Sequence, residues 1–279
     1  MPSKKTHAQK GGAHKPERGA QKPERGPQKR EGAAAVRATE RVHGFRAGLA
    51  VFEKRPEDIT RIGVAPERVS EVRALLAFAE SNRIPWSELP ESELLRIAAS
   101  SQHEGLVLET VPRRWSALSD VADALIRTRG FAIALDRVRN PYNVGAILRS
   151  AAFFGMDAAI LGAPAPHPAL AADAIRVAEG GAEHLRLART TDLAESLSRF
   201  RGRGLRVVGA ESDGIHTLFE YAFQAPTILV LGHEREGLSP RVRSVCDAVV
   251  RIPGIGHVES LNVGIAASLF ISELARTKR

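Results

Sequence analysis

The chain has 279 residues, of which 43% are hydrophobic, enough for two ordinary domains with sizeable cores. No apolar stretch approaches the roughly 20 residues that a membrane-spanning helix needs, the N-terminus does not resemble a signal peptide, and the single cysteine, Cys246, excludes an intramolecular disulfide. These features argue against an integral membrane protein and a disulfide scaffold, and they predict a cytoplasmic protein.

The net charge of +8 is concentrated at the N-terminus. Residues 1–40 carry six lysines and four arginines against four glutamates, a net charge of +6. Residues 1–36 lack apolar periodicity and contain Lys-Pro-Glu-Arg-Gly twice, so they are predicted to form a disordered basic tail that cannot bury enough surface to fold. Such a tail attracts polyanions such as RNA through counterion release, and a merely solubilising terminus is the alternative.

Residues 37–111 are predicted to form a small α/β domain. Its predicted elements, in chain order, are a strand over residues 59–64, helices over 67–81 and 89–98, and a strand over 106–109. The carboxylates of Glu91 and Glu93 fall in the first turn of the second helix, where they favour helix formation. Residues 112–129 are predicted to be a linker that contains a helix from Leu118 to Arg129.

From residue 130 to residue 279, predicted strands and helices alternate, which favours a mainly parallel sheet. The predicted strands cover residues 131–135, 158–161, 205–210, 227–231 and 249–252. The predicted helices cover residues 144–154, 168–178, 191–200, 239–245 and 261–276. No Gly-x-Gly-x-x-Gly follows the first strand, which disfavours a dinucleotide-dependent oxidoreductase. Cys246 lies among valines, so an unreactive buried thiol is predicted.

Two polar residues stand out at the predicted helix over residues 144–154. Asn143 directly precedes its apolar stripe, and Arg149 interrupts that stripe. From the residues alone, Asn143 is explained as a helix N-cap and Arg149 as a solvated side chain, with a functional role as the alternative.

Two glycine-containing segments follow the last two of the longer buried strands. Residues 231–238 read Leu-Gly-His-Glu-Arg-Glu-Gly-Leu, and in α/β sheets ligands bind just beyond the carboxyl ends of strands, where glycine permits close backbone approach. Residues 252–262 read Ile-Pro-Gly-Ile-Gly-His-Val-Glu-Ser-Leu-Asn, which combines apolar side chains with two glycines at which the chain can bend tightly. For Ser260 and Asn262, capping of the last helix is the alternative explanation.

In this order, the segments 140–150, 231–238 and 252–263 resemble the three signature motifs of the SpoU-like branch of the SPOUT RNA methyltransferases. The resemblance extends more loosely to residues 37–111, whose Gln102-His103-Glu104-Gly105 turn resembles the end of a SpoU-type RNA substrate-binding domain. It implies a trefoil-knotted α/β methyltransferase domain over residues 130–279, S-adenosyl-L-methionine as cofactor, a ribose 2′-hydroxyl of tRNA or rRNA as substrate, and a homodimer. It implies neither a metal nor a membrane partner.

The resemblance also assigns roles to residues. The expected catalytic residues are Asn143, Arg149, Glu234, Ser260 and Asn262. The expected cofactor-binding residues are Leu231, Gly232, Ile252, Pro253, Leu261 and Asn262. A guanidinium is always protonated, so Arg149 is expected to bind a phosphate and stabilise the developing alkoxide, with the other four catalytic residues orienting Arg149 and the ribose.

Two positions depart from the family pattern. Many relatives carry Met where this chain has Gly254, and Ser where it has Gly264. These departures keep open a second interpretation, in which the chain is a non-catalytic RNA-binding or ribosome-assembly factor that retains the methyltransferase fold. The sequence does not indicate which RNA or which nucleotide is modified.

Overall fold

The computed structural model describes residues 39–163, 170–258 and 260–277. The tail predicted for residues 1–36 lies outside these ranges. The described residues all belong to one compact unit. In the part of the chain that is described, no helix combines the length and apolar character needed to cross a membrane.

Four short strands form the N-terminal sheet, in the order β1-β4-β2-β3. Its elements are β1 (Glu40–His43), α1 (Phe45–Lys54), β2 (Ile59–Val64), α2 (Arg73–Ser81), β3 (Trp86–Glu88), α3 (Glu91–Ala98) and β4 (Leu106–Thr110). Strand β4 pairs antiparallel with β1 and with β2, and β2 pairs parallel with β3. The predicted strands and the predicted helix that begins near Leu89 are present.

The N-terminal sheet also departs from the sequence prediction. The helix predicted over residues 67–81 is broken, because Pro66–Arg68 form a separate 3-10 turn and α2 begins only at Arg73. Strand β1 and helix α1 occupy a stretch to which the sequence pattern assigns no element. Gly48 allows α1 to lie close to the sheet, since a Cβ there would be 2.6 Å from Leu106 Cδ2 on β4.

Seven strands form the second sheet, in the order β7-β6-β5-β10-β8-β11-β9, and each described pairing is parallel. The strands are β5 (Phe131–Asp136), β6 (Ala158–Gly162), β7 (Arg186–Thr190), β8 (Arg206–Ala210), β9 (His216–Thr217), β10 (Thr227–Leu231) and β11 (Ala248–Arg251). The helices are α4 (Leu118–Thr128), α5 (Pro141–Phe153), α6 (Ala172–Val177), α7 (Gly181–His184), α8 (Leu193–Gly202), α9 (Pro240–Ser244) and α10 (Val263–Arg276).

All five strands predicted beyond residue 130 are present, and the sequence missed β7 and β9. Both missed strands lie at the edges of the sheet and carry polar residues, Arg186 and Arg189 in β7 and His216 in β9. Edge strands tolerate charge because one side of them faces solvent, so they show no apolar run. The parallel α/β fold that the resemblance implies is confirmed, and the trefoil knot stays a prediction.

Helices cover both faces of the parallel sheet. Alternate residues of β5 face opposite ways, with Ile133 in the core beneath α5, α6 and α10 and Ala134 in the core beneath α4, α8 and α9. Helix α4 falls in the predicted linker over residues 112–129, yet its Val121 and Leu125 are fully buried against the sheet. The helix therefore belongs to the layer that covers one face of the parallel sheet.

Candidate active site

The polar motifs lie at one edge of the parallel sheet. Strands β5, β10 and β11 end at Asp136, Leu231 and Arg251. Because β5, β10, β8 and β11 pair in parallel, their carboxyl ends lie along the same edge. The segments that follow these strands meet there, as the sequence predicts.

A chain of hydrogen bonds joins three predicted catalytic residues from three separate segments. The Asn143 side chain donates through Nδ2 to Glu234 Oε1 at 2.8 Å. Its Oδ1 accepts from Asn262 Nδ2 at 3.1 Å. Because each amide uses its donor and its acceptor on defined partners, the three side chains orient one another.

The helix caps differ in part from the sequence interpretation. Helix α5 begins at Pro141, and its N-cap is Asn140, whose Oδ1 accepts from the backbone N–H of Tyr142 at 2.9 Å. Asn143 lies inside the first turn instead of capping it, which leaves its side chain free for Glu234. At α10 the cap is Asn262, with Oδ1 accepting from Gly264 N–H at 2.8 Å and Ile265 N–H at 3.4 Å.

Ser260 is exposed and does not cap α10. Gly264 lies directly beneath the capping oxygen, since a Cβ there would be 3.1 Å from Asn262 Oδ1. That spacing is tighter than ordinary van der Waals contact, so glycine at this position favours the observed cap. The departure from the family pattern at Gly264 is therefore compatible with the geometry of Asn262.

Glu234 lies in a tight turn that Gly232 makes possible. The backbone groups of His233 and Gly237 exchange hydrogen bonds of 3.0 and 2.9 Å across this turn. A Cβ on Gly232 would lie 2.5 Å from the backbone nitrogen of Leu238, so only glycine fits without a shift. Gly237 has φ +67°, the left-handed region that favours glycine.

Three residues that the sequence analysis did not single out support this turn. Buried Asp136 accepts from the backbone N–H of Ser239 at 2.6 Å, and Glu211 accepts from that of Leu238 at 3.1 Å. Arg137 donates to Gly237 O at 3.2 Å and also pairs with the Glu236 carboxylate. Polar residues at the end of a buried strand and directly after it, as at Asp136 and Arg137, are the signal that could have identified two of them.

The predicted cofactor loop, residues 252–262, follows β11, and most of its described residues are exposed to solvent. Ile252 is half-buried, whereas Pro253, Ser260 and Leu261 are exposed. Exposed apolar side chains also include Ile255 and Val258, and a Cβ on Gly254 or Gly256 would meet no atom within 4 Å. Within the described part of the chain, residues 253–258 make no backbone hydrogen bond, so their polar groups are available to a ligand.

Arg149 lies apart from the hydrogen-bonded chain of Asn143, Glu234 and Asn262. It projects from the third turn of α5, its side chain is 54% exposed, and its Nη1 lies 2.9 Å from Glu179 Oε1. The partner that orients Arg149 is therefore Glu179, which follows α6 and was not predicted. The expectation that the other four catalytic residues would orient Arg149 is not what this geometry shows.

Cys246 lies away from this edge, between α9 and the amino end of β11. Burial raises the pKa of its thiol to about 11, and Sγ donates to Val242 O at 3.4 Å. The thiol therefore stays protonated at neutral pH, as expected of an unreactive cysteine, although Cys246 is half-buried and not fully buried as predicted.

Two family models match the chain. Residues 130–272 match the SpoU rRNA Methylase family, and residues 41–116 match the RNA 2′-O ribose methyltransferase substrate binding family. A protein of Mycobacterium sp. (strain KMS), described as an uncharacterized tRNA/rRNA methyltransferase, is 38% identical over 224 residues, covering 77% of this chain and 68% of that protein.

Solved structures share the fold. The SpoU methyltransferase AviRb from Streptomyces viridochromogenes, in complex with AdoMet, is similar with a TM-score of 0.70 at 22% identity, over 86% of this chain and 90% of that one. An AdoMet-bound rRNA methyltransferase from Sinorhizobium meliloti gives a TM-score of 0.71 at 23% identity, over 85% and 87% of the two chains. At these identities the likeness establishes the fold.

Proposed function

This chain belongs to the SpoU rRNA methylase family of RNA methyltransferases, and on that premise we propose that it transfers a methyl group from S-adenosyl-L-methionine to a ribose 2′-hydroxyl of tRNA or rRNA. The observation that carries the proposal is the hydrogen-bonded chain of Glu234, Asn143 and Asn262, which links three separate segments at the carboxyl edge of the sheet. Ligands of parallel α/β sheets bind at that edge.

The loop over residues 252–262 fits the adenosyl part of this cofactor. An adenine ring needs apolar contacts together with backbone donors and acceptors. The loop offers exposed apolar side chains and free backbone groups, and the residues proposed to hold the cofactor are Leu231, Gly232, Ile252, Pro253, Leu261 and Asn262. When bound, S-adenosyl-L-methionine supplies a methyl group activated by a sulfonium, so the protein needs no covalent nucleophile.

Arg149 is proposed to act on the RNA side of the reaction. Its guanidinium is always protonated, so it cannot be a simple base. Arg149 is half-exposed, so its guanidinium can bind an RNA phosphate. The same positive charge would stabilise the negative charge that develops on the 2′-oxygen. Preorganised donors of this kind are commonly the largest electrostatic contribution to catalysis.

The amide chain and Ser260 are proposed to place the ribose. Glu234 holds the Asn143 amide in one orientation, and Asn143 in turn accepts from Asn262 Nδ2, while Asn262 Oδ1 caps α10. Fixing a reacting hydroxyl in line with the methyl donor lowers the barrier through orientation alone. Ser260 adds an exposed hydroxyl two residues before Asn262.

The test separates cofactor binding from turnover. Calorimetry measures S-adenosyl-L-methionine binding, and tritiated methyl transfer to total RNA from cells that lack the protein measures activity. Nucleoside mass spectrometry of that RNA is expected to show a new 2′-O-methylated nucleotide and to identify the RNA. Binding of RNA without any methyl transfer would instead support the alternative, a non-catalytic RNA-binding or ribosome-assembly factor.

We also propose that two copies of the chain pair through α5 and α10. These helices pack together, with Ser150 Oγ and Ser268 Oγ 2.8 Å apart. Their outer surface exposes large apolar residues, namely Tyr142, Phe153, Ile265 and Leu269. Such a face next to the cofactor loop suits a second copy of the same chain.

Sedimentation of the protein is expected to give a dimer. Ile265→Asp should give a monomer, because it places a charge in the centre of this face. Leu95→Asp changes a comparably exposed leucine on α3 and serves as the control that keeps the dimer. A monomeric parent protein would overturn the proposed pairing.

A further inference from the structure

One carboxylate is shared by two arginines from different parts of the chain. Glu179 Oε1 lies 2.9 Å from Arg149 Nη1 on α5, and Glu179 Oε2 lies 3.6 Å from Arg46 Nη1 on α1. Helix α1 belongs to the N-terminal segment that matches an RNA substrate-binding family, whereas α5 carries the first methyltransferase motif. Glu179 is therefore a direct link between the RNA-binding segment and the proposed catalytic arginine.

The backbone around Glu179 is held between these two helices. A Cβ on Gly180 would lie 2.7 Å from Ala50 Cβ of α1. A Cβ on Gly181 would lie 2.9 Å from Leu148 O and 3.1 Å from Arg149 Cα, both of α5. Because side chains are absent at both glycines, the turn approaches α1 and α5 closely enough for one carboxylate to reach both arginines.

Glu179 itself adopts a backbone conformation that glutamate seldom takes. Its φ is +44°, in the left-handed region. Non-glycine residues in that region carry a conformational cost, and they persist where the surrounding structure requires them. Here the packed turn between α1 and α5 imposes the conformation, and the result is that the carboxylate points at Arg149.

The charges at this point do not balance. Two guanidinium groups face one carboxylate, and the side chains of Arg46 and Arg149 are 73% and 54% exposed. The surplus positive charge is open to solvent, and the Arg46 contact with Glu179 is the longer of the two, so an RNA phosphate can bind Arg46 and compete with Glu179 for it.

We propose that Glu179 is a positioning residue that orients the Arg149 guanidinium. Because Glu179 also contacts Arg46, the orientation of Arg149 changes when Arg46 binds an RNA phosphate. In the absence of RNA, Glu179 holds Arg149 in one direction and partly neutralises the pair. A phosphate on Arg46 takes over that guanidinium and leaves the Glu179 carboxylate to Arg149 alone. This inference rests on the proposed function.

The decisive variant is Glu179→Gln, which keeps the shape of the side chain and removes its charge. It should lower kcat by about tenfold or more, since misplacing a reacting group by about 1 Å can cost about 100-fold. It should also bind total RNA from cells lacking the protein about two- to fivefold more tightly, because no carboxylate competes with phosphate. A variant that had lost structure would lose both kcat and RNA affinity. A lower kcat together with a higher RNA affinity therefore identifies a positioning role.

The matched control is Glu195→Gln, which removes the same charge from an exposed pair with Arg199 on α8. It should change neither kcat nor RNA affinity beyond the effect of net charge. Glu179→Asp, which retains a carboxylate and suits a left-handed backbone, should keep more of kcat than Glu179→Gln. That variant also decides the matter if the Gln variant does not fold.

The link to Arg46 is tested by a double-mutant cycle on RNA binding without cofactor. Arg46→Gln should weaken RNA binding about two- to fivefold and should remove most of the tightening caused by Glu179→Gln. Strictly additive effects would overturn the link, and a kcat of Glu179→Gln within about twofold of the parent value would overturn the positioning role. A parent protein that transfers no methyl group would overturn the proposed function instead, and the RNA-binding cycle would still decide the role of Glu179.

Discussion

Charged residues cluster in two regions, the junction between the two sheets and the carboxyl edge of the parallel sheet. The two regions differ in how completely these residues are paired within the protein. At the junction, Arg55 and Arg113 both pair with Glu40 and with Glu183, at distances of 2.6 to 3.0 Å. These four side chains are only 5% to 11% exposed. Each buried charge has partners inside the protein, as buried charges require.

The carboxyl edge leaves its groups incomplete. Apolar side chains of the loop over residues 252–262 face solvent, and the backbone of residues 253–258 is unpaired in the described structure. On α5, which begins near this edge, half-exposed Arg149 shares one carboxylate with Arg46. Groups that the fold leaves without internal partners are the ones free to bind a cofactor and RNA. Charge alone therefore does not mark the site, whereas polar and apolar groups without internal partners at the carboxyl edge of the parallel sheet do.

The largest expected effect tests the structural role of the junction. Glu40→Ala removes one of the two carboxylates that buried Arg55 and Arg113 share and leaves only Glu183 to both, which should lower the free energy of unfolding by about 3–5 kcal/mol. In a domain of this size that corresponds to a Tm lower by about 6–20 °C, measurable by circular dichroism. Glu53→Ala, at an exposed carboxylate paired with Lys54, is the control and should leave Tm unchanged. Equal Tm values for the two variants would show that the junction is not held by these charges.

Arg149→Ala tests the opposite side of the comparison. It should leave Tm and S-adenosyl-L-methionine affinity close to the parent values and lower kcat by about 10²–10³-fold, or about 3–4 kcal/mol. Arg149→Lys should recover little, because an ammonium cannot reproduce the planar fork of a guanidinium. Calorimetry and tritiated methyl transfer measure the two properties. Methyl transfer by Arg149→Ala at nearly the parent rate would remove Arg149 from the mechanism.

Gly232→Ala tests whether the turn at the end of β10 sets up the site. The added Cβ clashes with the backbone across the turn, which must then shift and carry Glu234 away from Asn143. We expect cofactor affinity to fall at least about tenfold, or about 1.4 kcal/mol. Gly202→Ala adds a methyl group where no atom lies within 4 Å and serves as the control. Unchanged cofactor affinity in Gly232→Ala would mean that this turn is not part of the cofactor site.

Sequence and structure agree where the signal is local. Strands such as β5 and β10 are continuous apolar runs, and the motif residues that follow the strands occupy neighbouring segments because parallel strands end at one edge. Edge strand β7 was missed because Arg186 and Arg189 interrupt its apolar pattern. Helix α4 was predicted, but its burial in the sheet depends on tertiary packing that periodicity does not show.

The site shows the same limit. Asn143, Glu234 and Asn262 could be predicted to meet, since each lies in a motif after a strand or at the start of a helix. The partner of Arg149 could not, because Glu179 reaches it only through a turn packed between α1 and α5. Contacts set by the approach of distant backbones have no counterpart in sequence spacing.

The smallest expected effect concerns His43, a buried group at the junction that differs from its neighbours. Neither ring nitrogen has a hydrogen bond to any residue that the structure describes, and Nε2 lies 3.6 Å from Asp173 Oδ1. Burial lowers the pKa of His43 below 6.5, and nearby Arg176 and His103 act in the same direction against the opposing effect of Asp173. The folded state therefore prefers the neutral ring.

As pH falls below 6.5, the unfolded chain takes up the proton first, so stability present above that pH is lost. Tm of the parent should consequently drop more between pH 7.5 and pH 5.5 than Tm of His43→Gln, which cannot titrate. If Tm falls equally with pH in the parent protein and in His43→Gln, protonation of His43 does not reduce the stability of the junction.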